Sequence, residues 1–104
     1  MSNTLIACKC RFELAIAGYK DVSDQLRRWQ AVFSSDGASK ADVRRAIGER
    51  LGPLDLFALH SAFFALEREA SAETCAAFER EVERFESAMH ALRTELVSDG
   101  IPVL

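Results

Sequence analysis

The stretch CAAFEREVERFESAMHALRTEL, residues 75–96, decides the fold. Its apolar residues Cys75, Phe78, Val82, Phe85, Met89, Leu92 and Leu96 recur in alternating steps of three and four, with Glu and Arg in most of the gaps. That spacing draws one apolar seam along a helix. A seam is a statement about packing, and it has none of the specificity of a catalytic or nucleotide-binding motif.

Upstream, the row Leu56, Leu59, Phe63, Leu66 and Ala70 continues to Glu73 and Ala77, out of phase with Cys75 and Phe78. One straight helix through both would misalign its apolar faces, so the chain is expected to break at Ser71. Ser71 as N-cap and Glu73 in the first turn predict a helix over 72–98. Asp99 and Gly100 end it, with Gly supplying the left-handed cap, and an apolar tail follows at 101–104. The run 53–70 is predicted as a helix opened by Pro53 at its first position. Its Leu54, Leu56, Phe57, Leu59, Phe63, Phe64 and Leu66 cover about half of the circumference at 100° per residue, too wide for one neighbour to bury.

Towards the N-terminus, Leu5, Cys8, Phe12, Ala15, Tyr19, Val22, Leu26, Trp29 and Phe33 again alternate by three and four, predicting a helix over 4–34. Residues 8–16 also alternate with period two, as a strand would, but the longer period extends through both flanks and a lone strand would lack a partner. A kink near Gly18 is compatible with this helix. Ser34 to Ser39 reads as a loop, and a helix over 40–51 carries Val43, Ile47 and Leu51 on one face before Gly52 and Pro53 stop it. The predicted fold class is therefore all-α: a single domain, a small bundle of about four helices, two long and two short, with antiparallel neighbours.

The totals agree with that class. A chain of 104 residues with 49% hydrophobic and 28% charged side chains is the size and composition of one soluble globular domain. Five Gly and two Pro leave helix favoured by intrinsic propensity. The net charge of −3 is uneven: nine Lys or Arg against six Asp or Glu in residues 1–52, four against ten in residues 53–104. The basic half suits an acidic neighbour. On the last helix, Glu79, Glu81, Glu86 and Glu95 flank the seam, which disfavours parallel pairing of two copies. An antiparallel arrangement of the first and last helices would bring Arg11 near Glu95.

The three cysteines, Cys8, Cys10 and Cys75, are an odd number and read as reduced thiols, which places the protein in the cytoplasm. Leu5, Ile6, Ala7 and Cys8 spell a lipoprotein cleavage box, but seven residues leave no room for the apolar region such a signal needs. No membrane association is expected. The preference for Arg (10) over Lys (3) suggests a GC-rich bacterial genome.

Few residues invite chemistry. His60 lies between Leu56 and Phe64 inside the wide apolar arc, and it is followed by Ser61-Ala62-Phe63-Phe64 rather than the Lys-Gly pair seen after the histidine of phosphorelay bundles. Glu86 and His90 are four apart and beside the seam, unlike the Glu-x-x-His of di-iron bundles. Cys8 and Cys10 point about 200° apart on a helix, which argues against a shared metal. No cofactor and no metal are predicted, and no catalytic residue. Arg27, Arg28, Arg44, Arg45 and Arg50 are the only basic clusters. The segment 40–70 imitates a helix-turn-helix, but its second helix shows Leu and Phe where a reading helix shows polar groups. The acidic total also argues against nucleic acid.

What remains is surplus apolar helix face without chemistry. The expected function is a non-enzymatic protein–protein interaction module of the regulator, adaptor or chaperone type, self-associating as a dimer and binding a protein partner of unknown identity. Its expected contact residues are Leu56, Phe57, His60, Phe63 and Phe64, with charged contacts from Arg27, Arg28, Arg44 and Arg45. The alternatives are a ligand-responsive or phosphate-handling bundle using His60, and nucleic-acid binding through Arg27, Arg28, Arg44, Arg45 and Arg50.

Overall fold

A computed structural model describes residues 2–29 and 39–100 of the chain. Among the described residues there are four helices: α1 (Ser2–Arg28), α2 (Lys40–Leu51), α3 (Leu56–Arg68) and α4 (Ala72–Ser98). The molecule is elongated, 54 × 23 × 16 Å. Its long axis is set by α1 and α4, each of 27 residues and so about 40 Å long.

Each described helix start after α1 is fixed by a side chain. Ser39 Oγ accepts the Asp42 N–H at 3.1 Å, and Asp55 Oδ1 accepts the Ala58 N–H at 2.9 Å. Ser71 builds a reciprocal capping box, its Oγ accepting from Thr74 N at 3.2 Å while its own N–H donates to Thr74 Oγ1 at 2.8 Å. The Thr74 hydroxyl donates back to the Glu69 carbonyl at 2.7 Å, which ties the end of α3 to the start of α4. Gly100, at φ 78°, supplies the left-handed residue after α4. Arg27 and Arg28 end α1 and Arg68 ends α3, where a cation complements the helix dipole.

Both boundaries of α3 differ from expectation. Pro53 does not open α3: the Leu54 N–H donates to the Leu51 carbonyl at 2.9 Å in a tight turn, and the helix begins after Asp55, whose carboxylate caps it as proline cannot. The helix stops at Arg68 rather than residue 70, because Glu69 is already extended and its carbonyl is taken by Thr74. The first helix ends at Arg28, with Trp29 in a turn; the predicted continuation to residue 34, Phe33 and most of the loop 34–39 lie outside the described residues, as does the tail 101–104. Residues 8–16 are helical, so Cys8 is buried and Cys10 exposed on opposite sides. Gly18 lies within the uninterrupted helix.

Buried residues of α1, α3 and α4, joined by Leu54, make one contiguous core. Cys8, Ala15, Val22 and Leu26 come from α1, Leu59, Phe63 and Leu66 from α3, and Phe78, Val82, Phe85, Met89, Leu92 and Leu96 from α4. Phe12 stacks on Phe63 with ring centroids 4.3 Å apart, and Phe63 meets Phe78 at 5.7 Å. The α2 residues Ile47 and Leu51 pack against this core, and Arg50 fastens α2 to the far end of α4 through Asp99 at 2.7 Å and Glu95 at 3.5 Å. Gly48 sits on the open side of α2, and a Cβ there would meet nothing within 4 Å. Gly48→Ala is expected to stabilise the fold by about 0.5–1 kcal/mol through helix propensity alone, read as a rise in melting temperature; a fall would mean that α2 needs the glycine for a reason other than space.

The packing corrects one inference from charge. The helix α3 runs antiparallel to α4 across the short link at residues 69–71, but α1 and α4 run in the same direction. Cys8 lies near Glu79, Arg11 bonds Glu86, and Gly18 sits beside Met89 and Arg93. Arg11 therefore pairs with Glu86 rather than Glu95, with Nη2–Oε1 at 2.7 Å and Nε–Oε2 at 3.2 Å. The reason is topological. Among the described residues, α2 packs at the far end of α4 and α3 runs back along the bundle, so the two long helices point the same way and α3 is the antiparallel neighbour of both.

Candidate interaction surface

Residues 57, 60 and 64 are spaced by three and four, so they share one face of α3. That face stands beside α1, because its inner neighbour Phe63 is covered by Phe12. Phe57 is 82% exposed and Phe64 52% exposed. His60, half-buried, fills the space between them. Its Nδ1 donates to the Leu56 carbonyl at 2.8 Å, which fixes the ring against the helix. The ring stands edge-on to Phe12 at 5.1 Å and 87°, and tilts against Phe64 at 5.8 Å and 60°. Such edge contacts contribute about 0.5–1.5 kcal/mol each beyond the area they bury. The result is a stripe of three rings with a rigid centre and two exposed ends.

The expected contact residues therefore divide. Phe57, His60 and Phe64 form the stripe and Leu56 is half-buried at its edge. Phe63 is a correction: at 3% exposure it belongs to the core, because α1 lies on that part of the wide apolar arc. The arginines divide too. Arg27, Arg28 and Arg44 are exposed, Arg45 faces Asp42 of its own helix at 3.7 Å, and Arg50 is committed to Asp99 and Glu95. Arg50 is thus a joint between α2 and α4 rather than a free contact.

The cysteine chemistry is muted. Burial raises the Cys8 thiol above its ordinary pKa, nearby Cys75 and Glu79 raise it further, and Arg11 only partly opposes them. A thiol kept protonated in this way is a poor nucleophile. Among the described residues no group of three His, Cys, Asp or Glu is placed to hold a metal ion, and no helix is long and apolar enough to cross a membrane. The clefts around Thr4, Ala7 and Glu79, and around Glu83, Ser87 and His90, are open surface depressions that do not include His60.

A groove between α1 and α4, floored by Ala15, Phe85 and Met89 and rimmed by Leu14, His90 and Arg93, is a feature that sequence reasoning missed. Its only signal in the sequence is the spacing of Glu86, His90 and Arg93 along one flank of the seam, opposite the small residue Gly18. Comparison with known proteins adds no functional information: no family model, curated protein or solved structure matches the chain.

Proposed function

We propose that the protein is a non-enzymatic protein–protein interaction module that works through the Phe57–His60–Phe64 stripe, and that its first partner is a second copy of itself. The observation carrying this is the exposure of Phe57 and Phe64, two turns apart on one helix face. Burying a phenylalanine side chain contributes about 1.5–3 kcal/mol, so two exposed rings held by a rigid third are a contact surface in waiting.

Charge selects the geometry. With α3 of each copy antiparallel across a two-fold axis between residues 60 and 61, Phe57 of one copy faces Phe64 of the other. The acidic cap Asp55 then approaches the second copy's Arg68, one pair at each end of the contact. A parallel pairing would instead set Arg68 against Arg68. Occupying a surface of another protein in the cytoplasm, as a regulator or adaptor does, is the role that this reading gives the chain. The phosphate-handling reading loses ground because His60 is hydrogen-bonded through Nδ1 and walled by Phe12 and Phe64.

Sedimentation at micromolar concentration tests the proposal. The native chain is expected to sediment as a dimer, Phe57→Glu/Phe64→Glu as a monomer with unchanged helical circular dichroism, and Arg68→Glu as a weakened dimer. A native monomer, or a dimer that ignores all three substitutions, refutes it.

A further inference from the structure

The α1–α4 groove has a volume of about 200 Å³ and is open to solvent along one side. Its floor is apolar, from Phe85 and Met89, and Leu14 stands at its lip 73% exposed. Two nitrogen-bearing side chains from α4, His90 and Arg93, border it. The Arg93 guanidinium reaches across towards α1, its Nη2 lying 3.4 Å from where a Cβ on Gly18 would be. Among the described residues no carboxylate pairs with Arg93, and its Nε is buried without an acceptor. The nearest acid in the groove, Glu86, has both oxygens engaged by Arg11. A buried, unpaired guanidinium N–H is uncommon in a folded protein and points to an absent acceptor.

We propose that this groove binds a small organic carboxylate carrying a short apolar tail. A carboxylate matches the side-on fork of Nε and Nη2 with two parallel hydrogen bonds, drawing the guanidinium outward so that its Nε gains an acceptor. The tail lies along Phe85 and Met89 and is covered by Leu14. A phosphate dianion suits the site poorly, because Glu86 adds negative charge at one end and the floor offers no donors. The volume accommodates a benzoate-sized acid rather than a folded partner. This site lies outside the Phe57–His60–Phe64 stripe and stands independently of the proposed function.

Benzoate is the probe, titrated into the native chain and followed by amide chemical shifts in NMR. Saturable shifts confined to residues 14–18 and 85–93 are expected, with a Kd on the order of 1 mM, as suits a ligand of that size. Arg93→Gln is expected to weaken binding by roughly tenfold or more. Arg84→Gln, which alters an exposed arginine paired with Glu81, leaves it unchanged. Retained helical circular dichroism checks that each variant folds, and Phe57→Glu/Phe64→Glu is expected to bind benzoate like the native chain. Absence of saturable shifts, undiminished binding by Arg93→Gln, or equal shifts of the same amides by inorganic phosphate would each overturn the assignment.

Discussion

Replacing Phe78 with alanine is expected to lower the free energy of unfolding by about 3–5 kcal/mol, the range for deleting a buried ring whose cavity cannot collapse. Phe78 is fully buried, at the level where Phe63 of α3 meets α4, and Phe63 is itself stacked on Phe12 of α1. The cavity would therefore open where three helices converge, and none of them can move inward without losing its contacts to the others. Small folded proteins have total stabilities of about 5–15 kcal/mol, so the variant is expected to be marginal or partly unfolded at 25 °C. Urea denaturation followed by circular dichroism measures it. A loss below about 1 kcal/mol would contradict the packing described for this level of the bundle.

Leu26→Ala is expected to cost about 2–5 kcal/mol, and the form of its unfolding matters as much as the size. Leu26 is fully buried near the end of α1, one turn before the half-buried Trp29. If α1 is part of one cooperative unit, the loss is global, and Trp29 fluorescence and far-ultraviolet circular dichroism move to the same lower midpoint together. If α1 were an arm docked on an independently stable α3–α4 hairpin, fluorescence would change first and most of the helical signal would persist. Coincident transitions are expected, because Cys8, Ala15, Val22 and Leu26 share a core with both hairpin helices.

The Arg11–Glu86 pair carries little of this stability despite its two hydrogen bonds. Both side chains are partly exposed, and pairs of that kind contribute about 0–1 kcal/mol. Its value lies in reporting register and direction. In that respect it overturned the pairing with Glu95, which came from matching charges on two helices whose relative direction local sequence does not specify.

Legibility tracked how local each signal was. Ser71 was readable as a cap because a cap is settled within four residues. The capping partner Thr74 was missed, since Glu73 in the first turn already explained the helix start. Pro53 was misplaced because Asp55, two residues on, competes for the same role and brings a carboxylate to the Ala58 N–H. The α4 seam was readable almost to the residue: Phe78, Val82, Phe85, Met89, Leu92 and Leu96 are all buried, and Cys75 at its start is half-buried. The wide face of α3 was readable as surplus, but a helical wheel does not say which part of a broad apolar arc its neighbours cover. Phe63 and Phe64 are adjacent in sequence and equally apolar, yet one is core and the other half-exposed.

The sequence by itself determined that this chain is helical, where α2 and α4 lie, and which stripes of α1 and α4 turn inward, because propensity, capping and periodicity act within a few residues. Only the tertiary structure decided that α1 and α4 are parallel, that Arg50 belongs to a joint, that Phe57 and Phe64 remain uncovered and that Arg93 borders an apolar groove. Each of these depends on which helices become neighbours, and that is settled by the number of times the chain reverses and by the shared burial of side chains far apart in sequence.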